Sequence, residues 1–323
     1  MDNWRGDSNR SAALTVGTDE PTSAVSVSMT RLSLALLTAA GVAVASPRAS
    51  VAQLGRDETT FTWSRQMASG ATLTISNGDG PIDVRESAGN LVVVRAVKDP
   101  RSRGSTRDVA FDVRETGDNV EICTLYGDQR SCRDRSGGRN TGGRVEYTVS
   151  IPRSLRLRVA TGNGEISIER AGGDVTASTG NGGVHVGATA GRVNVSTGNG
   201  DIQIDGASGS VSASTGTGRI SVLTARGSVN ANTGTGDIDV RIKGPIDGDM
   251  RFISGSGSIH LALPGDFNGR IDATSGNGTL RSDFEISVVG RLSAQHVRGT
   301  IGTGGPLIRM STGSGMIELR KGD

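Results

Sequence analysis

The chain has 323 residues, with 35 Lys+Arg against 33 Asp+Glu and a formal net charge of +2, so overall charge argues against a nucleic-acid or other polyanion partner. Glycine at 49 residues and aromatics at 3% depart from ordinary globular composition and suit a repeat structure whose corners need glycine and whose core needs small branched residues.

Residues 1–28 are polar, lack apolar periodicity and read as a disordered, mis-assigned N-terminal extension, with Met29 as the natural start. Residues 29–52 have the anatomy of a signal peptide: Arg31 as the positive region, an apolar run from Leu32 to Val44, and small residues at Ser50, Val51 and Ala52. Cleavage is expected after Ala52 or Ala45, and the apolar run is short for a membrane span. The mature chain is therefore expected to be exported, to periplasm, cell surface or medium, with no integral membrane domain after cleavage. In that compartment Cys123 and Cys132, within CTLYGDQRSC, are expected to form a loop-closing disulfide. Two thiols with no nearby histidine do not make a four-ligand metal site.

Residues 53–160 read as an irregular, β-rich start of the repeat structure carrying the disulfide loop. Leu73/Ile75 and Ile82/Val84 flank AsnGlyAspGlyPro and fit one coil. Further strands are expected at Leu91–Val97, Val109–Arg114, Asn119–Thr124 and Arg144–Ile151. The loop Gly127 to Gly143 projects between them and is the first choice for a functional surface, because long connections on a solenoid are where binding faces usually lie.

Residues 161–323 are the regular part. TGNGEISIE at 161 recurs as TGNGGVHVG at 179, TGNGDIQID at 197, TGTGRISVL at 215 and TGTGDIDVR at 233, a step of 18 residues. A repeat this short can bury its apolar face only against its neighbours. Val193/Val195 and Ile202/Ile204 alternate with polar residues, the pattern of two short strands with one face buried. Gly162, Gly180, Gly198, Gly216 and Gly234 form one column; Gly164, Gly182, Gly200, Gly218 and Gly236 form a second; Gly173, Gly191, Gly209 and Gly227 mark the opposite corner. The fold class is all-β, a flattened β-solenoid of parallel β-helix type with about 18 residues and two strands per coil. After Thr233 the step lengthens to 21, at Ser254 and Ser275, and then to 37 at Thr312, so later corners are expected to carry insertions. The Ala/Val interior leaves no room for a buried ligand, and no cofactor is expected.

The chemistry is sparse. Calcium-binding β-rolls repeat GGxGxDxUx, whereas here the acid directly follows glycine and its column contains Arg219 between Asp201 and Asp237. These three are expected to form a surface charge ladder. The Thr161–Thr233 and Asn163–Asn199 columns are read as hydrogen-bonded ladders between coils, not as an ice- or glycan-binding array. His185 and His260 each occupy an outward strand position alone, and Asp205 and Asp239 have no convincing partner. There is no GxSxG, phosphate loop or HExxH.

The opening FTWSRQMASGATLTISNGDGPIDV, the segment VEYTVSIPRSLRLRVATGNGEISI and the repeated TGNGDI together resemble a bacterial family of unknown function named for adhesion. The resemblance spans about Phe61 to Leu319 and implies a β-solenoid with no catalytic residues to carry over. The expected function is a non-catalytic envelope protein that adheres to or scaffolds a surface, with a surface glycan or an envelope protein as partner. The alternative is a periplasmic envelope-stress or structural component; a polysaccharide-acting β-helix enzyme ranks behind both.

Overall fold

The structure, a computed structural model, describes residues 58–101, 108–134, 143–288, 293 and 295–322. The expected extension (1–28), the expected export signal (29–52) and part of the 127–143 loop lie outside the described residues.

The described chain opens with β1 (Thr60–Gln66), β2 (Thr72–Asp79), β3 (Ile82–Glu86), β4 (Leu91–Lys98), β5 (Val109–Thr116), β6 (Asn119–Tyr126) and β7 (Val145–Ile151). Central coils follow as strand pairs: β8 (Arg156–Asn163) and β9 (Ile166–Ala171), β10 (Val175–Asn181) and β11 (Val184–Thr189), β12 (Val193–Asn199) and β13 (Ile202–Ala207). The next are β14 (Val211–Thr217) and β15 (Ile220–Thr224), β16 (Val229–Thr235) and β17 (Ile238–Ile242), then β18 (Met250–Ser256) and β19 (Ile259–Leu263). The chain closes with β20 (Gly269–Asn277), β21 (Leu280–Ser282), β22 (Ser287–Val288), β23 (His296–Ile301), β24 (Leu307–Ser314) and β25 (Ile317–Lys321).

These strands form two sheets, the flattened β-solenoid that the repeat implies. Sheet I has 12 strands in the order β1-β4-β7-β3-β9-β11-β13-β15-β17-β19-β25-β21, and sheet II has 13 in the order β22-β23-β20-β24-β18-β16-β14-β12-β10-β8-β2-β6-β5. Repeats stack parallel and in register, with Val193 opposite Val211 and Ile202 opposite Ile220. Alternation decides what is inside: Val193, Val195, Ile202 and Ile204 are all buried, whereas Asn194 and Gln203 face out. Each buried Val or Ile contributes about 1.5–3 kcal/mol through apolar area removed from water.

At both ends the stacking order departs from chain order. Strands β6 and β7 pair parallel with β2 and β3, so residues read as irregular start a further coil below the first one. The chain then passes that first coil and continues above it, since β2 also pairs with β8 and β3 with β9. The far end mirrors this: β24 lies between β18 and β20, and β25 between β19 and β21. The long step before Thr312 is therefore an excursion through β22 and β23, after which the last coil fills a gap already left for it.

The ends are also where the large side chains sit. Phe61 stacks on Phe111 at 4.7 Å between ring centroids, Tyr147 meets Phe111 edge-on at 6.3 Å, and Phe267 meets Phe284 edge-on at 6.3 Å. Antiparallel strands β1, β4 and β5 close one end, and β23 and β22 flank β20 at the other.

One corner carbonyl joins each coil to the next. Thr215 Oγ1 donates to Gly200 O at 3.0 Å, and a Cβ on Gly218, which has φ +147°, would fall 2.1 Å from the same oxygen. The TGxG phrase thus supplies a hydroxyl to that carbonyl and withholds the Cβ that would displace it. The pattern runs through both reordered ends: Asn77 Nδ2 reaches Val145 O at 2.9 Å, Thr312 Oγ1 reaches Gly257 O at 2.8 Å, and Ser275 Oγ reaches Gly315 O at 2.9 Å.

Two substitutions test this framework by thermal or chemical unfolding. Ile204→Ala is expected to cost about 2–5 kcal/mol and Ile204→Asp to abolish the cooperative transition, because the side chain enters the core. An unchanged melting curve would place residue 204 on the wrong face. Thr215→Val, which keeps shape and removes the hydroxyl, is expected to cost about 1–3 kcal/mol, with Thr215→Ser much milder. Equal stability of the Val and Ser variants would deny the corner hydrogen bond its role.

Candidate interaction surfaces

Strands β5 and β6 position the disulfide loop. Cys123 on β6 is bonded to Cys132, and Asp112 on β5 accepts the Cys132 N–H at 3.0 Å, drawing the loop back across the hairpin. Asp112, Cys123 and Cys132 come together, but the two sulfurs are bonded to each other and offer no thiolate to a metal. Beside them is a cavity of about 350 Å3 lined by Asn77, Cys123, Tyr126, Gln129, Cys132 and Asp134. The Tyr126 hydroxyl donates to Asn77 Oδ1 at 2.9 Å and accepts the Asp79 N–H at 3.0 Å, and burial pushes its phenol up to about 12. It stays a neutral hydrogen-bonding strut. Of the loop singled out from sequence, the described part, Gly127–Asp134, packs on this hairpin.

The outer face of sheet I corrects the view of its histidines as isolated. His185 Nε2 lies 2.6 Å from Asp205, one coil along, and His260 Nδ1 lies 3.0 Å from Glu318, whose other partner is Arg320 at 2.6 Å. Asp239 likewise has a partner, Arg219 at 3.5 Å. In-register stacking explains the histidine pairs: Glu318 stands directly opposite His260, and Asp205 is the diagonal neighbour two residues beyond Gln203, which stands opposite His185. The Arg320 hydrogen bond, with His260 beside it, holds the Glu318 carboxyl below the ordinary 4.5. Burial acts upward on Asp205, but hydrogen bonds from Gln203 and His185 outweigh it and hold that carboxyl low. A shallow groove of about 540 Å3 crosses this face, lined by Asp205, Ser221, Leu223, Arg241, His260 and Arg320 among others. Both histidine rings on this face are hydrogen-bonded to carboxylates, His185 to Asp205 and His260 to Glu318.

The acids that follow the corner glycines have a structural use. Asp201 Oδ1 accepts the Arg219 N–H at 2.7 Å, and Asp237 Oδ1 accepts the Ser258 N–H at 2.8 Å, each capping a corner donor of the next coil. Arg219 also pairs with Asp237 at 3.4 Å, the link that the sequence ladder anticipates. The corner asparagines bond to one another, Asn181 Nδ2 to Asn163 Oδ1 at 2.8 Å and Asn199 Nδ2 to Asn181 Oδ1 at 2.9 Å.

Sheet II presents a different outer face. Thr176, Asn194, Ser212 and Asn230 stand opposite one another in one column, with Ser178, Ser196, Ser214 and Asn232 in the next. Arg158 continues the first column at one side and Arg251, then Arg309, at the other. Reasoning from the sequence alone missed this face, although its signal was present: the polar letters between the buried Val and Ala positions are Ser, Thr and Asn throughout those coils.

The family model of Toastrack DUF4097 matches residues 71–320. The chain belongs to that family. The likeness carried by the opening segment and the TGNGDI corners is thereby shown, and the match covers the stacked coils from β2 onward. No curated protein matches the chain. Among solved structures it is similar to a "putative cell adhesion protein" from Clostridium sporogenes, at 11% identity and TM-score 0.28, covering 81% of this chain and 100% of that one. It is also similar to a "putative adhesin" from Bacteroides fragilis, at 9% identity and TM-score 0.34, covering 82% and 98%. A "putative lipid binding protein" from Parabacteroides distasonis is similar at 13% identity and TM-score 0.34, with the same coverages.

The Glu318 cluster yields a pH prediction. A carboxyl held low in the folded state adds stability above its ordinary pKa, and that contribution is lost only as pH falls through the depressed value. Arg320→Met is expected to return the Glu318 titration toward 4.5, followed by carboxyl-carbon NMR, and to remove this group's contribution to stability at neutral pH, so that stability falls less steeply below pH 4.5 than in the wild-type chain. A Glu318 titration identical in both proteins would show that Arg320 does not set it.

Proposed function

We propose that the protein is an exported, envelope-associated binding or adhesive scaffold that acts by surface contact and not by catalysis. The observation that carries this reading is where its polar side chains lie. The described core is closed and apolar, and the polar groups stand in columns on two broad sheet faces at the spacing set by the strands. Such a surface suits recognition of an extended partner better than turnover of a small substrate, which is usually enclosed in a concave pocket. Export is supported by the disulfide between Cys123 and Cys132, a bond that persists in oxidising compartments, and by the signal-like segment at 29–52.

Cell fractionation with external protease tests the reading. Removal of the protein from intact cells is expected. Recovery in the periplasm, protected from protease, would overturn adhesion in favour of an internal envelope role, and a cytoplasmic location would overturn the whole proposal.

A further inference from the structure

The two faces of the solenoid differ in how they use their charges. On sheet I the outward positions carry both signs, and several pair, His185 with Asp205, Arg219 with Asp239, and His260 and Arg320 with Glu318, although among the described residues Arg241 has no carboxylate within ion-pair distance. On sheet II the outward strand positions from β8 to β18 carry Arg156, Arg158 and Arg251 and no acid. Among the described residues these arginines have no carboxylate within ion-pair distance. The acids near this face are engaged: Asp174 at the corner accepts the Arg192 N–H at 2.9 Å, Glu121 lies 3.9 Å from Arg114, and Asp272 holds Arg298, Arg309 and His296. The net charge of +2 conceals this segregation.

Between Arg158 and Arg251 lie the eight Ser, Thr and Asn residues of the two columns. Unlike the corner asparagines, these side chains make no hydrogen bond to the protein among the described residues. Their donors and acceptors are open to a partner. Strand stacking sets the two arginines about 24 Å apart, with a polar group every ~4.8 Å between them.

We propose that this face of sheet II binds an extended carboxylated polysaccharide lying along the stack, across the strands. The proposal rests on the surface-contact reading above and specifies its ligand. Arginine forks match carboxylates bidentately, and a lattice of hydroxyls and amides matches sugar hydroxyls, which both donate and accept. A nucleic acid fits less well, because every described aromatic side chain is buried and none can stack on a base. A membrane fits less well too, since Ile253 is the sole large apolar residue at the outward positions from β8 to β18 and it is only half-exposed. Each contact is weak alone, so affinity is expected to come from the repeat and to require a polymer.

The test is retention of the full-length protein on immobilised polygalacturonate, with dextran as the neutral polymer and isolated envelopes of the producing cells as a third support. Duplex DNA and phosphatidylglycerol vesicles serve as competing anionic probes. The wild-type chain is expected to be held by polygalacturonate and not by dextran, and to be released by salt. Arg158→Glu with Arg251→Glu is expected to weaken retention at least about tenfold, while Arg241→Glu on sheet I leaves it unchanged, because a single charge-assisted contact is worth about that factor. Should the charge reversal unfold the chain, the pair Arg158→Gln and Arg251→Gln replaces it, with melting curves as the control. Undiminished binding by the sheet II variants overturns the proposal, as does binding to DNA or vesicles as tight as to polygalacturonate. Retention on envelopes but not on polygalacturonate overturns this ligand and leaves the surface-contact reading standing; retention on neither overturns both.

Discussion

The fold depends on a single carbonyl at each corner. A parallel stack of two-stranded coils satisfies most backbone groups through its ladders, but where the chain turns the ladder stops and a carbonyl is left facing the next coil. Thr215 answers Gly200 O with its hydroxyl, and Gly218 leaves the space that lets the oxygen approach. Because both residues of the phrase address one atom, losing the side-chain donor or adding a Cβ disturbs the same contact, and where the first residue varies, to Asn77, Ser254 or Ser275, a donor is kept. That coupling explains why TGxG persists when the spacing of the repeats does not: Ser254 and Gly257 serve Gly236 O across a longer step, just as Thr312 and Gly315 serve Gly257 O across a reordered one.

The same coupling marks what could be read from the letters and what could not. Strand positions, inward columns and the two-sided coil follow from period-two alternation and from glycine at fixed places, and Val193 to Ile204 are buried as that pattern requires. Stacking order does not follow. Ser254, Ser275 and Thr312 carry equivalent corner phrases, so any of the three coils can receive the others, and the local pattern is degenerate. What breaks the degeneracy is non-local: the coil that ends in the three-residue β21 is flanked on sheet II by antiparallel β23, which terminates parallel growth, so the last repeat must enter beneath it. At the other end β6 lacks the TGxG corner, and Tyr126 braces Asn77 instead, which is why that coil does not look like one in sequence.

Surface chemistry was legible only along the chain, and the partnerships run across it. His185 and Asp205 are separated by 20 residues and His260 and Glu318 by 58, distances at which a linear scan finds isolated groups. Register turns sequence separation into adjacency, and the second of these pairs also requires the inserted coil. The outward strand acids Asp205 and Asp239 were therefore misread as unpartnered, while Asp201, placed directly after a corner glycine, proved to cap the next coil's backbone.

Stacking in register also makes any surface property additive in one direction. A side chain repeated in one column is delivered at fixed intervals on a support too rigid to readjust, so a weak preference at one coil becomes a polymer-length preference over several. On sheet I acids and bases share one face and several of them pair, which contributes little to stability but lowers the field that face offers a partner. Sheet II keeps its arginines uncancelled at a cost in mutual repulsion that the neutral Ser, Thr and Asn coils between them dilute by distance and screening. Spacing like charges across a run of neutral polar residues gives nothing to folding, since the corner carbonyls and the buried columns already fix the stack. On the proposal made above, its use is to meet an extended anion laid along it.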